Sequence, residues 1–475
     1  MKWETVIGLE IHAELLTESK LFCGCATAFG KSPNTQCCPV CTGMPGTLPS
    51  LNRRAVELAV LAGLGLGCTV AAQTRFDRKN YFYPDLPKAY QISQLYAPLC
   101  RDGYLDIAVP AAKRIRIREI HLEEDAGKLI HDRGEQSLCD YNRCGVPLIE
   151  IVTEPDFRSG AEAAAFVKEL RHVLRILGVS DCKMQEGSMR VDVNLSVRPA
   201  GSPELGARTE MKNLNSIRSV VRAAEAEARR QTALLEKGEA VPQETRRWDE
   251  AQGQTFSMRT KEEAADYRYF PEPDLPPLAL DPAWIRSVED GLPTLPAAVR
   301  AQCRKLGLSE ESAELLLGEP ALLDFFRASL ACGAPPREAC SWILGEVRRI
   351  LSERGMEPEK LSMKPEKFAL LLDLLEQGAV NRQGAKETLE AIFDGTADPA
   401  AYIRENGLEQ TSDAAVIREA AARAAAEHPK ARDDWRAGRE QALGFLMGQC
   451  MRLLQGRGDP TAVRRELLRL LNGEE

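Results

Sequence analysis

The 475-residue sequence predicts an α+β fold, and three observations carry that reading. Several segments alternate apolar and polar residues with a period of two, so each would show one polar face as a strand. These segments do not alternate regularly with helical ones, which favours an antiparallel sheet over a doubly wound parallel one. From about Leu295 onward the chain is rich in Ala, Leu, Glu and Arg and reads as helices joined by short turns. The predicted layout is an N-terminal domain, 1–292, built on an antiparallel sheet with helices. A helical domain, 293–408, and a small helical tail domain, 409–475, follow. The seams are PEPDLPPLALDP (Pro271 to Pro282), then Asp398-Pro399 and Asn406-Gly407. A chain of this length exceeds one compact core.

The first strand is VIGLEIHAEL, Val6 to Leu15. Ile7, Leu9, Ile11 and Ala13 share one face, and Gly8, Glu10, His12 and Glu14 the other. Five of the 14 cysteines follow between Cys23 and Cys41. Their C-x-C and C-x-x-C pairs supply Cys23, Cys25, Cys38 and Cys41, enough for a closed tetrahedral zinc shell within 23–41, with Cys37 to spare. A group of reduced buried thiols is the alternative. GLGLG (Gly63 to Gly67) ends an apolar helix and fits no nucleotide-binding pattern. FDRKNYFYPDLPKAYQISQ, Phe76 to Gln94, interleaves Arg78, Lys79 and Lys88 with four aromatic rings, a composition suited to phosphate and base contacts. A loop packed by its own tyrosines is the competing account.

KRIRIREIHLEED continues the alternation from Lys113 and brings Glu119, His121 and Glu123 to one face, with Glu124 and Asp125 at its end. Glu150 lies inside the apolar PLIEIVTEP, where a carboxylate costs free energy unless it is paired. Glu10, His12, Glu124 and Glu150 thus offer an oxygen-rich set with one imidazole, suited to Mg²⁺ or Mn²⁺. Three unrelated polar faces would give the same pattern. RVDVNLSVR, Arg190 to Arg198, is the clearest strand, and helices are expected over Ser159 to Leu177 and Ser216 to about Lys237.

The net charge of −8 argues against nucleic acid bound over the whole surface, while leaving room for a local basic patch. No apolar run is long enough to span a bilayer, and MKWETVIGLE lacks the marks of a signal peptide, so a cytoplasmic location is expected. There is no phosphate-binding G-x-x-x-x-G-K-[ST] loop and no G-x-S-x-G elbow.

Ten stretches in order closely resemble the family of B subunits of aspartyl/glutamyl-tRNA amidotransferases. They are VIGLEIHAEL, SKLFCGC, CPVCTGMPGTLP, FDRKNYFYPDLPKAYQISQ, HLEEDAGK, DYNRCGVPLIEIVTEPD, MQEGSMRVDVNLSVR, RTEMKNLNS, QETRRWD and DYRYFPEPDL. LGFLMGQCMR in the tail fits as well. The resemblance implies an ATP- and Mg²⁺-dependent ligase that phosphorylates the side-chain carboxylate of misacylated Glu-tRNA(Gln) or Asp-tRNA(Asn). Ammonia from a partner amidase subunit then makes the amide, and a small bridging subunit completes the heterotrimer. It implies a magnesium site of His12, Glu124 and Glu150 beside Glu10. Within that site Lys79, Lys88 and Arg190 are expected to contact phosphate or carboxylate, and Asp192 and Glu210 to hold a second metal or orient ammonia. No membrane or DNA partner is implied. The zinc expectation rests on the cysteines themselves.

Two positions depart from the family pattern: Ala89 stands where glycine is expected and Ala207 where threonine is. The family's tail grips the outer corner of tRNA, and Arg452, Arg457, Arg464 and Arg465 are the residues expected to do so here. From Gln410 on there are eleven Lys or Arg against ten Asp or Glu, so charge alone does not mark that surface. Two rival readings remain at this stage. One is a non-catalytic, zinc-stabilised tRNA-binding scaffold, and the other a free-standing ligase acting on a small molecule.

Overall fold

The structure, a computed structural model, describes residues 2–130, 136–260, 267–411, 413–454 and 456–472. The chain divides into two compact units, Met1–Pro296 and Ala297–Glu475.

In chain order the first unit holds β1 (Trp3–Glu14), α1 (Arg53–Gly65), β2 (Thr69–Val70), β3 (Gln73–Thr74), β4 (Asp77–Asn80), β5 (Tyr90–Ser93) and β6 (Cys100–Ile107). Then come β7 (Lys113–Glu124), β8 (Lys128–Ile130), β9 (Leu138–Asp140), β10 (Pro147–Thr153), α2 (Gly160–Ile176) and β11 (Met189–Pro199). The series continues with β12 (Thr209–Lys212), α3 (Ile217–Glu236), β13 (Glu244–Asp249), β14 (Gln254–Thr260) and β15 (Phe270–Pro271).

Nine of these strands form one sheet in the order β14-β13-β12-β11-β1-β10-β7-β6-β2. Every neighbouring pair is antiparallel except β12 and β13. The exception lies where α3 joins the two strands, and parallel neighbours need such a crossover. The sheet is therefore mixed at one junction and antiparallel elsewhere.

The period-two pattern of β1 decides which face is buried. Ile7, Leu9, Ile11 and Ala13 are at most 1% exposed and join Ile149, Ile151, Ile120, Leu122, Val191 and Val193 in one core. Helices α1, α2 and α3 supply the opposing layer of that core through residues such as Leu58, Phe166, Leu170, Val220 and Ala223. Ser159 and Ser216 cap α2 and α3 by accepting from the N–H groups of Glu162 and Ser219, so both helices start where the sequence places them. The other face of the sheet is left to polar side chains.

The second unit is helical. Among its described residues the helix Pro336–Trp342 runs through a π-helical turn, Ile343–Val347, into Arg348–Glu353. The last four helices are Ala414–Glu427, Pro429–Arg436, Gln441–Leu453 and Pro460–Asn472, and Ile417, Ala421, Leu446, Cys450, Val463 and Leu467 lie in a core of their own. Among the described residues no helix is long and apolar enough to cross a membrane.

Ala89 adopts φ +61°, the left-handed conformation, in the turn that leads into β5. A Cβ there costs roughly 1–2 kcal/mol against the following carbonyl. Glycine removes that cost but adds about 0.4–1 kcal/mol of chain entropy to the unfolded state. Ala89→Gly is accordingly expected to raise stability by about 0.5–1 kcal/mol, read as a higher urea midpoint at unchanged slope. A lower midpoint would mean that the turn is not held in this conformation.

Candidate active site on the polar sheet face

Register brings the polar side chains together. His12 lies opposite Glu150 on β10 and Arg190 on β11, and Glu150 lies opposite His121 on β7. Residues directly opposite share a face, so His121, Glu150, His12 and Arg190 form one row across four strands. His121 Nε2 is 2.9 Å from Glu150 Oε2. His12 Nε2 is 3.5 Å from both Glu150 Oε2 and Glu123 Oε1. His12, Glu123 and Glu150 each present a ligand atom within 4.8 Å of the others.

The charges of this group set one another. Burial works to neutralise His121, but the Glu150 charge and hydrogen bonds to Glu123 and Glu150 push its imidazole up to about 10. Burial likewise opposes ionisation of Glu150, yet the His121 charge and the hydrogen bond from His12 hold it well below the usual carboxylate range. His121 Nδ1 is buried with no hydrogen-bond partner. Octahedral coordination at about 2.0–2.1 Å separates ligand atoms by roughly 2.9–4.2 Å. The donor set and its spacing fit a divalent cation once the imidazolium proton is lost.

Glu124, the carboxylate expected in this group from the sequence, sits elsewhere. His121 and Glu123 share parity along β7, and Glu124 does not, so it is Glu123 that meets His12 and Glu150. Glu124 forms a buried ion pair with Lys88 and accepts from the Ile92 N–H at 3.0 Å. Lys88 is therefore neutralised, and its ammonium lies 5.1 Å from the Tyr90 ring. Gly43, at φ +69°, makes room for it: a Cβ there would come within 2.6 Å of Lys88 Cγ.

A second carboxylate group lies one step along the face. Glu10, Asp192 and Glu210 also place ligand atoms within 4.8 Å. Lys212 Nζ sits 2.6 Å from Asp192 and 2.8 Å from Glu210, and Asn194 donates to Glu10 at 2.9 Å. Burial, with the charges of Glu150 and Glu210, raises the Glu10 carboxyl. Arg190 is tied to Asp125 at 2.9 Å. Lys79 lies 5.0 Å from the Tyr267 ring and 5.6 Å from Tyr81. Tyr269, raised by burial and by the charges of Glu123 and Glu150, places that aromatic group next to the carboxylates. His121, Glu123, Lys212 and Tyr269 are additions to the set read from the sequence. Strand parity from His121 was the available signal for Glu123.

Cys23, Cys25, Cys38 and Cys41 place four sulfurs within 4.8 Å of one another. Tetrahedral Zn–S bonds of about 2.3 Å put sulfurs about 3.8 Å apart, so the group fits a metal ion with modest contraction. A hydrogen bond from Cys23, the Cys38 N–H and the Lys20 ammonium at 3.6 Å hold the Cys41 thiol down to about 4, against the effect of burial. Cys37 turns away and donates to Asn34 O at 3.3 Å. In the second unit Arg452, Arg464 and Arg465 are exposed, whereas Arg457 is tied to Gly407 O at 2.9 Å.

Residues 5–286, which carry all of the site in the first unit, match the family described as the GatB/GatE catalytic domain. Residues 324–471 match the GatB domain. Proteins named as the B subunit of aspartyl/glutamyl-tRNA(Asn/Gln) amidotransferase align over nearly the whole chain. The one from Caldicellulosiruptor saccharolyticus is 54% identical over 475 residues, covering 99% of each chain. That from Thermodesulfovibrio yellowstonii is 50% identical over 473 residues, covering 99% of this chain and 100% of its own. The chain belongs to this family of amidotransferase B subunits.

The His121 contacts predict a measurable state. Its folded pKa is raised above the ordinary value near 6.5, so its contribution to stability is complete below that value and is lost as pH rises through about 10. In protein stripped of divalent ions, the His121 ring is expected to keep imidazolium chemical shifts at pH 8. A neutral ring at that pH would refute the pairing with Glu150.

Proposed function

We propose that the chain is the tRNA-dependent amidating subunit of an aspartyl/glutamyl-tRNA amidotransferase complex, as the names of its relatives describe for them. The reading carried further is that it phosphorylates the side-chain carboxylate of misacylated Glu-tRNA(Gln) or Asp-tRNA(Asn) with ATP. Ammonia from an amidase subunit, in a complex with a small bridging subunit, then displaces the phosphate. The observation that supports it most is the in-register row of His12, Glu150 and His121 with Glu123 beside it.

A carboxylate attacking a triphosphate meets negative charge on both sides, so catalysis here is largely neutralisation and positioning. Magnesium held by His12, Glu123 and Glu150, with Glu124 within reach if its ion pair opens, would neutralise the phosphate oxygens. Lys79, held over tyrosine faces without an ion-pair partner among the described residues, is suited to the transferring phosphoryl group. Lys88 is suited to it once released from Glu124, and Arg190 to the substrate carboxylate. The oxygen of that carboxylate bonds to the γ-phosphorus as ADP leaves. Ammonia then bonds to the acyl carbon, phosphate departs, and one ammonia proton passes to a nearby base. Glu10 is that base in our reading, with Asp192 and Glu210 orienting the ammonia. The four-cysteine group holds structural zinc, and Arg452, Arg464 and Arg465 of the tail, 409–475, meet tRNA phosphates.

The test uses the chain co-expressed with amidase and bridging subunits, γ-labelled ATP, Mg²⁺ and misacylated tRNA, with glutamine withheld. Phosphate release that depends on tRNA is expected. Glu150→Gln should lower it by about a hundred-fold or more while tRNA binding is kept. Tight tRNA binding by the wild-type complex with no ATP turnover would make the chain a docking subunit. Metal content tests the zinc assignment separately. Cys38→Ser should lose the bound zinc and Cys37→Ser should retain it; equal zinc in both would place the metal elsewhere.

A further inference from the structure

A cavity of about 170 Å³ opens on the polar sheet face directly beside Glu10, apart from both metal-ligand groups. Gly8, Glu10 and Asn194 line its floor; Arg118, Pro155, Leu205 and Arg208 stand among its walls. Gly8 is a glycine in the middle of a twelve-residue strand, which ordinarily weakens the strand. Its backbone does not require glycine, because its φ is not positive. A Cβ there would make only ordinary contact, 3.6 Å from Pro155 Cα. Gly8 therefore preserves space: any side chain would stand in the floor of the cavity.

The outer wall is held just as firmly. Leu205 and Arg208 belong to the loop between β11 and β12, and Gly206 anchors that loop against β11. A Cβ on Gly206 would lie 2.2 Å from Val197 O, so only glycine permits the approach. The loop holds Leu205 at 58% exposure beside Pro155. Arg118 is spent on Glu154 through bonds of 2.9 and 3.1 Å. Arg208 has no hydrogen bond or ion pair among the described residues. One end of the cavity is thus polar and touches the reacting centre, one side is apolar, and an unspent cation stands at the rim.

Resting on the function proposed above, we infer that this cavity receives the 3′-terminal nucleoside of the misacylated tRNA. The aminoacyl group is esterified to that terminal ribose, so whichever pocket takes the nucleoside must border the group that acts on the side-chain carboxylate. The cavity does so through Glu10. The apolar side formed by Leu205 and Pro155 suits a base face, Asn194 suits the ribose hydroxyls, and Arg208 suits the phosphate that follows.

The test uses the full chain with its amidase and bridging subunits. Gly8→Ala is expected to raise KM for misacylated tRNA about ten-fold or more, as one carbon in a fitted pocket does, with KM for ATP unchanged. Arg208→Ala should reduce by about one the slope of log affinity for tRNA against log salt, a readout that a purely structural role would not move. As a direct probe, 3′-amino-3′-deoxyadenosine carrying glutamate in amide linkage should inhibit wild type competitively against tRNA but not against ATP, and Gly8→Ala should weaken that inhibition. Competition with ATP instead would assign the cavity to the nucleotide substrate and overturn the inference. So would an active wild type whose tRNA KM is unaltered by Gly8→Ala. A wild-type complex that makes no amide fails the proposed function itself, which is a different result.

Discussion

The arrangement depends on one constraint: a glutamate placed in the middle of a strand that is otherwise apolar. Glu150 is flanked by Ile149 and Ile151, both fully buried, and the polar face to which it points is itself largely shielded from water. A carboxylate in that position is tolerated only with compensating charge and hydrogen bonds, and removing one member of such a buried pair typically costs about 3–5 kcal/mol. The compensation comes from His121 and His12 on the two neighbouring strands, each in register with Glu150. A slip of one residue at either pairing would turn the imidazole into the helix layer and the adjacent isoleucine or leucine into the polar site. The charge on Glu150 and the register of three central strands are thus one requirement, and the apolar packing of Ile11, Ile120 and Ile151 on the opposite face enforces it.

The same logic applies beyond the row. Each acidic group on this face is matched in the free protein by a cation: His121 for Glu150 and Glu123, Lys212 for Asp192 and Glu210, Lys88 for Glu124 and Arg190 for Asp125. The lysines among these are long and can withdraw when a metal ion or phosphate arrives, whereas the imidazolium has only to lose a proton. The cysteine group connects to this system through buried cations. Lys20, wholly buried, has only the Cys41 sulfur and the Tyr141 carbonyl at 3.3 Å as its hydrogen-bond acceptors among the described residues. Gly43, two residues beyond Cys41, makes the space that Lys88 fills. The thiolate segment therefore shapes one wall of the carboxylate site in addition to closing on itself.

Much of the fold could be read from the sequence because period-two alternation reports burial directly. Strands β1, β7 and β11, and helices α2 and α3 with their serine caps, lie where the pattern places them. The cysteine grouping was legible for a similar reason, since sequence spacing restricts which four sulfurs can meet. The choice between Glu123 and Glu124 required a stricter use of the same rule: counting in twos from His121 gives Glu123, but adjacency to the strand's end made Glu124 equally attractive. The fate of Lys88 was not legible. A lysine among aromatics looks available for phosphate, and only the three-dimensional approach of Glu124 shows that it is already paired. The parallel β12–β13 junction was hidden too, because local alternation says nothing about the direction of a neighbouring strand.

Two glycine-related observations show how far residue type alone can mislead. Ala89 occupies a left-handed turn immediately after Lys88, so the backbone there meets a requirement that the residue does not suit. Gly8 shows the reverse, a residue of great conformational freedom in a position that needs none. The first is a local cost borne by a turn that packs Lys88 and Tyr90 into place, and it persists because those buried contacts hold the turn on both sides. The second has no such local cause, and the strand would gain propensity from almost any replacement. What distinguishes them is the space around the missing Cβ. At Gly8 that space is continuous with the cavity bordered by Glu10, so the absence of a side chain is a property of the site and not of the strand.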